Sequence, residues 1–245
     1  MLFFKKKNIP LNQFFPKGFV DIHSHLLPGI DDGAKNLQSS IELIQKMSSY
    51  GIKNFITTPH VLGDVYPNSS KTIKEKLLEV QNELKRQNIS DVTISAAAEY
   101  MMDEQFVKLL EKDDILTLKD NYVLVEMSYF SAPFNLYEII FEIQLKGYKP
   151  VLAHPERYNF YHTNFENYYK LKKAGCLFQL NLLSLTPQYG NNVQKISSKL
   201  LNEGLYDFVG TDTHHSKHLE LLKKIGNEKI KKTIFHLLEN NKKLK

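Results

Sequence analysis

The chain has no tryptophan, one cysteine and, among 32 basic residues, only two arginines, Arg86 and Arg157. A single cysteine, Cys176, rules out a disulfide framework. Because arginine is scarce, one that stands inside a motif carries weight. The positive charge is instead lysine spread along segments such as 71–85 and 217–232, which reads as solvated helix faces and not as a nucleic-acid footprint. No stretch approaches the roughly 18 apolar residues needed to cross a bilayer. Lys5, Lys6 and Lys7 follow apolar residues instead of preceding the apolar core of a signal peptide. These absences lead us to expect a soluble cytoplasmic protein without nucleic-acid binding or stable membrane insertion. With 42% hydrophobic residues in 245, the chain is too apolar for disorder and long enough to bury a large core.

What is present is alternation. Short apolar, β-branched runs at 19–23, 54–58, 92–97, 122–127, 150–153, 177–181 and 207–210 read as strands. Between them, helical periodicity covers 37–50, 72–88, 103–110, 136–146, 165–174 and 194–203, with a last stretch from 219 onward. Gly51, Gly147, Gly175 and Gly204 stand just past helix ends, where a left-handed cap leads into the next strand. Repeated βα units without a low-complexity linker predict one parallel α/β domain over 19–245, with 1–18 as an N-terminal extension. The apolar residues Phe3, Phe4, Phe14 and Phe15 of that extension are expected to pack across the domain.

The C-terminal ends of the strand runs carry the informative residues. His23 and His25, His60, Glu99, Glu126, His154, Asn181, and Asp212 with His214 recur at spacings of 37, 39, 27, 28, 27 and 31 residues from His23 onward. Each spacing is about one βα unit, and in a parallel barrel all such ends meet on one face. His23-Ser24-His25 puts two imidazoles at i and i+2 on one side of an extended strand, within reach of one ion. Asp212-Thr213-His214 repeats the arrangement. Asp31 and Asp32, in the loop after the first strand, suit either a ligand role or the N-terminal end of the first long helix. Nitrogen and oxygen donors without a thiolate point to manganese, iron, magnesium or catalytic zinc. Four carboxylates, Asp32, Glu99, Glu126 and Asp212, would repel one another in one pocket unless two or three divalent ions offset them.

One of the two arginines stands in His154-Pro155-Glu156-Arg157, three residues beyond a candidate ligand. A planar, always-charged donor there suits a phosphate oxyanion, or else pairs with Glu156 on an exposed loop. Thiolate chemistry is excluded, because Cys176 leads into Leu177-Phe178-Gln179-Leu180-Asn181 with no arginine loop, and it reads as a buried structural residue. Ser24 points away from its flanking histidines. His162, His215 and His218 read as surface residues.

The motifs 21–34 (Asp21-Ile22-His23-Ser24-His25-Leu26-Leu27-Pro28-Gly29-Ile30-Asp31-Asp32-Gly33-Ala34), Thr57-Thr58-Pro59-His60, Glu99 after an alanine run, Leu124-Val125-Glu126, His154-Pro155-Glu156-Arg157 and Asp212-Thr213-His214 together resemble the polymerase and histidinol phosphatase (PHP) superfamily. Within it they are most similar to the manganese-dependent phosphotyrosine phosphatases of bacterial capsule and exopolysaccharide machinery. The resemblance spans about residues 19 to 216, and the long first motif is its most specific part. It implies a distorted seven-stranded (β/α) TIM-like barrel of the PHP type with a trinuclear centre. By position, one metal would take His23, His25, Glu99 and Asp212, a second Glu99, Glu126 and His154, and a third Asp32, His60 and His214. Arg157 would be the catalytic, phosphate-binding arginine.

The implied activity is hydrolysis of a phosphotyrosine protein, in particular an autophosphorylating tyrosine kinase of polysaccharide export. A small-molecule phosphatase acting on histidinol phosphate or sugar phosphates is the alternative. Two features depart from the family pattern. The loop after His60, Val61-Leu62-Gly63-Asp64, lacks the basic residues of some relatives, and about 18 residues precede the first strand.

Overall fold

The fold is that of a computed structural model, which describes residues 8–245. Phe3, Phe4 and the lysines 5–7 lie outside the described residues. The chain runs α1 (Leu11–Phe14), β1 (Val20–Asp21), α2 (Leu37–Ser49), β2 (Asn54–Thr57), β3 (His60–Val61), α3 (Ser70–Arg86), β4 (Thr93–Ala96), β5 (Glu99–Met101) and α4 (Glu104–Glu111). It continues with β6 (Tyr122–Glu126), α5 (Leu136–Leu145), β7 (Lys149–Ala153), α6 (Glu166–Lys173), β8 (Leu177–Asn181), α7 (Asn191–Asn202), β9 (Phe208–Gly210), α8 (Ser216–Leu222) and α9 (Glu228–Asn241). Every strand pairing is parallel, in a three-stranded sheet β1-β2-β4 and a six-stranded sheet β3-β5-β6-β7-β8-β9.

The expectation of seven strands is corrected here to nine among the described residues. Two of the predicted runs are followed by a second short strand: β2 stops at Thr57 and resumes as β3 at His60, and β4 stops at Ala96 and resumes as β5 at Glu99. Between β2 and β3 stands Pro59, which has no N–H to give a ladder, although its carbonyl still accepts from Glu99 N at 3.0 Å. His60 and Glu99 thereby become register partners in the larger sheet.

The two sheets curl toward one another. At the first and last strands, Asp212 N donates to His23 O at 2.7 Å and His25 N to Thr213 O at 2.9 Å. Below them the Asp21 carboxylate accepts from Thr211 N at 2.9 Å and Thr211 Oγ1 at 2.7 Å. Lower still, the amide of Asn241 on α9 donates to Val20 O at 2.8 Å and Val209 O at 2.6 Å, and accepts from Val209 N at 3.1 Å. A buried side chain thus satisfies strand edges that do not meet there.

Local chemistry explains the helices. Asn36 and Ser39 form a reciprocal capping box on α2, Ser69 and Thr72 do the same on α3, and Asp103 caps α4 through Phe106 N at 2.9 Å. The four glycines predicted to end helices have φ between 66° and 91°. One apolar layer, including Phe55, Phe106, Ile140 and Phe178, lies between strands and helices. A second, with Ile22, Leu124, Val151 and Phe208, fills the inside of the curl. Phe14 and Phe15 are buried and stack toward Phe19, with ring centroids 5.1 and 4.9 Å apart along the series.

Candidate metal centre

Because every strand is parallel, the C-terminal ends share one rim, and the curl brings His23, His25, His60, Glu99, Glu126, His154, Asp212 and His214 into one cluster. Two of them sit on strained backbone: His154 has φ +34° and Asp212 φ +50°, in the region that non-glycine residues rarely occupy. At the centre is Glu99. Its Oε1 accepts from His154 Nε2 at 3.0 Å. Its Oε2 is buried with no hydrogen-bond partner, although His23 Nε2, His25 Nε2 and His60 Nδ1 stand 3.1, 3.4 and 3.2 Å away. His60 Nδ1 and His154 Nδ1 are likewise buried without a hydrogen bond. The Nε2 atoms of His23 and His25 face each other at 3.4 Å.

Donors that converge without pairing are the signature a cation would complete, and the chemistry of this set fits divalent metal ions. Four overlapping groups have ligand atoms within 4.8 Å of one another: His25, Asp32, His60 and His214; His23, His154 and Asp212; His23, His25 and Glu99; and His60, Glu99 and Glu126. His60 joins two of them, with Nδ1 2.9 Å from Glu126 and Nε2 3.6 Å from Asp32. Asp32 is the most exposed member and also lies 3.4 Å from His214 Nε2.

The imidazoles are held from behind. His23 Nδ1 bonds Gln179 Oε1 at 2.7 Å, His25 Nδ1 bonds Asp31 Oδ2 at 2.8 Å, and His214 Nδ1 bonds the Asp212 carbonyl at 2.9 Å. Each bond directs the opposite nitrogen inward, as in metal-bound histidines. Asp31 therefore positions His25, and it also accepts from His60 N and Gly33 N. The helix-capping reading of Asp31 and Asp32 is corrected, since Asn36 caps α2. Gly33 is required in this loop because a side chain there would collide with His25, and a Cβ at Gly210 would come within 2.5 Å of His23 Cβ.

Electrostatically the cluster is a standoff. Burial favours neutral His23, but the charges of Glu99 and Asp212 overcome it and push the imidazole up to about 9. His25 is likewise driven up against burial, by Asp31 first. Burial opposes ionisation of Glu99 and Asp212, yet the surrounding histidines hold both well below the usual carboxylate range. Burial and the charge of Glu99 raise Glu126. Burial and then Arg157 lower His154 to about 4.

Arg157 does not pair with Glu156. Its Nη1 donates to Asp212 Oδ2 at 2.8 Å, and its guanidinium carbon lies 4.7 Å from the Tyr129 ring centre and 4.3 Å from that of Tyr189. Glu156 turns inward to accept from Asn181 N at 3.0 Å and Tyr206 Oη at 2.9 Å, bracing the loop. Asn181 donates to Asp212 Oδ2 at 2.7 Å. Arg157 and the upper cluster open onto a cleft of about 570 Å³, whose outer wall includes Leu62, Tyr66, Met101, Met102 and Phe130.

Ser24 is buried and Cys176 is a buried free thiol, pushed up to about 12 by burial. His215 is exposed, as expected. His162 and His218 are half-buried, bonding Glu156 O at 2.8 Å and Asp212 O at 3.1 Å respectively. Gln179, Tyr129 and Tyr189 are not among the residues that the sequence singles out. Gln179 has a readable signal, a polar residue two positions before Asn181 inside an apolar run, whereas the tyrosines have none.

Fold and cluster define a class: parallel α/β proteins with a curled sheet that gather chemistry-bearing residues at the C-terminal strand ends. The chain belongs to the family described as capsular polysaccharide synthesis, CpsB/CapC, which matches residues 19–237. It is 30% identical over 225 residues to CapC of Staphylococcus aureus, covering 90% of this chain and 87% of that one. It is 32% identical over 199 residues to the tyrosine-protein phosphatase YwqE of Bacillus subtilis, covering 81% and 78%. The structure matches a chain from the crystal structures of YwqE from Bacillus subtilis and CpsB from Streptococcus pneumoniae, metal-dependent tyrosine phosphatases. That match has a TM-score of 0.77 and 29% identity, and covers 90% of this chain and 94% of the other. An amidohydrolase from Mycoplasma synoviae shares the fold at a TM-score of 0.56 and 15% identity, covering 96% and 89%.

Proposed function

We propose that this chain is a metal-dependent protein-tyrosine phosphatase of the capsule and exopolysaccharide type. Its substrate is a phosphotyrosine protein, an autophosphorylating tyrosine kinase of polysaccharide export, and it works in the cytoplasm. We take 19–245 as one catalytic domain, with its two sheets joined as a single distorted barrel. The observation that carries the reading is the buried Glu99 Oε2, ringed by three imidazole nitrogens and bonded to none.

In this reading two or three manganese ions are held by His23, His25, Glu99 and Asp212, by Glu99, Glu126 and His154, and by Asp32, His60 and His214. Such ions supply a hydrolytic nucleophile at neutral pH and offset phosphoryl charge. The protein's own residues do the rest. Gln179 and Asp31 fix the imidazole tautomers of His23 and His25. Arg157, clamped between Tyr129 and Tyr189 and tied to Asp212 by one nitrogen, keeps its other donors for the equatorial oxygens of the phosphoryl group. A tyrosine phenolate leaves more readily than an alkoxide, which lessens the need for a general acid.

The names of the relatives support a protein phosphatase over the small-molecule alternative. The test is hydrolysis by manganese-loaded protein of a phosphotyrosine peptide against histidinol phosphate and sugar phosphates. A kcat/KM favouring the peptide is expected, and preference for a metabolite would overturn the reading.

A further inference from the structure

The candidate cleft borders a second cavity. The latter, also about 570 Å³, lies between α4 and α5 and shares Met102, Asp103 and Pro133 with the cleft wall. Beyond it α5 presents an apolar row to solvent: Tyr137, Phe141 and Leu145 are 48%, 61% and 67% exposed. Their spacing of four sets them on one helix face, while Leu136, Ile139, Ile140 and Ile143 take the buried side. Phe130, 93% exposed, lines the cleft, and Phe134, 109% exposed, lines the second cavity just before α5. Five large apolar side chains exposed within sixteen residues are the kind of surface that marks an interaction site.

The charge around it is mixed but acidic in balance, with Lys108 and Lys146, whose Nζ donates to Glu111 O at 3.0 Å, set among more numerous carboxylates. The charged residues of α5 are Glu138 and Glu142, and the cavity carries Asp103, Glu104 and Glu111 against Lys108. In a chain of net charge +5 this corner is acidic.

We propose that the α4–α5 cavity and the Tyr137–Phe141–Leu145 face bind the stretch of a protein substrate that flanks its phosphotyrosine, a segment of apolar and basic residues. The proposal rests on the phosphotyrosine reading of the cleft. Because the cavity and the cleft share a wall, a residue neighbouring an aryl phosphate in the cleft reaches the cavity without leaving the surface. The row from Tyr137 to Leu145 spans about 12 Å of helix, the length of about four extended residues. Lysines or arginines in that segment would meet Glu138 and Glu142. A metabolite phosphate is too small to touch this face, so the face separates protein from small-molecule substrates by KM.

The test uses the manganese-loaded full chain with 4-nitrophenyl phosphate and three phosphotyrosine peptides. Two carry a Leu/Phe/Lys segment, on the amino or the carboxyl side of the phosphotyrosine, and the third carries Ser/Gly flanks. At least one apolar-basic peptide should exceed the Ser/Gly peptide by on the order of tenfold in kcat/KM, through KM. The double variant Phe141→Ser/Leu145→Ser should abolish that advantage and leave 4-nitrophenyl phosphate hydrolysis within about twofold. Tyr137→Ser gives an independent variant on the same row if the double one folds poorly. Equal kcat/KM on all three peptides overturns the proposal, as does an advantage that survives in the variants. So does a wild-type dimer that Phe141→Ser turns into a monomer on sedimentation, because the face would then belong to a second copy. If the wild type hydrolyses neither 4-nitrophenyl phosphate nor any peptide, the phosphatase reading itself has failed, and the proposal with it.

Discussion

The lower and upper halves of the curled sheet's interior are built by the same strands from opposite chemistry. On β6, Leu124 lies in the apolar layer and Glu126, two residues on, in the cluster. On β9, Phe208 lies below and the chain reaches Asp212 four residues later. Residues two apart share a strand face, so on β6 a single register serves both layers, whereas Asp212 is turned inward by left-handed backbone beyond the end of β9. The lower layer stabilises the fold by removing apolar surface from water, at about 25 cal/mol per Å². The upper layer does the reverse, since each buried ion without a matched partner costs several kcal/mol. Stability and chemistry are therefore separable along a strand, and substitutions a few ångströms apart should fail in different ways.

The largest effect belongs to the upper layer. His23→Ala, Glu99→Ala and Asp212→Ala should each lower turnover on the order of 10³-fold or more, because metal ions supply several kcal/mol of transition-state stabilisation. Circular dichroism should show the fold intact, and near-wild-type turnover at limiting metal would sink the ligand assignment. The lower layer gives the converse. Leu124→Ala should lose about 2–5 kcal/mol of stability to urea while the surviving folded protein keeps its kcat. A collapse of kcat without destabilisation would break the division of labour.

Arg157 sits at the boundary. Arg157→Ala should leave metal content unchanged and lower kcat/KM for aryl phosphates by about 10²-fold, with Arg157→Lys recovering part of it. Lost metal would instead make it a support for Asp212. Smaller still, Tyr189→Leu should cost several-fold to about tenfold through loss of the ring–guanidinium contact. In an Arg157→Ala background the same change should cost nothing further, and a double-mutant cycle checks this. The smallest effect is expected at Cys176. With its thiol pushed up to about 12 by burial, iodoacetamide at pH 8 should not label the native chain, and Cys176→Ser should turn over normally. Lost turnover in a folded Cys176→Ser protein would return cysteine to the mechanism.

Much of this division is legible in the amino-acid sequence itself, for a physical reason. Strand ends in parallel α/β folds are where apolar runs meet polar residues, so Glu126 after Leu124-Val125 and His154 after Val151-Leu152-Ala153 announce themselves. What the sequence hides depends on three-dimensional neighbours. The interruptions at Thr58-Pro59 and Ala97-Ala98 lie within or beside apolar runs that read as single strands, and only register shows that His60 pairs with Glu99 in another sheet. The Arg157 clamp joins a loop after β6 to one after β8, residues with no shared pattern in the chain. Asp31 and Asp32 show the limit most plainly: adjacent carboxylates, one buried behind His25 and one half-exposed near His60 and His214, differ only in which way the loop turns.

The most direct test of the account is metal content and activity measured on the same preparations of wild-type protein and Glu99→Gln. After prolonged dialysis against chelator the wild type should be inactive. Manganese should then restore about two or three ions per chain together with hydrolysis of a phosphotyrosine peptide. Glu99→Gln, which keeps the shape and removes the central charge, should regain fewer ions and almost no activity. Full activity in metal-free wild type, or identical metal content in Glu99→Gln, would contradict the claim that this buried cluster is the catalytic metal centre.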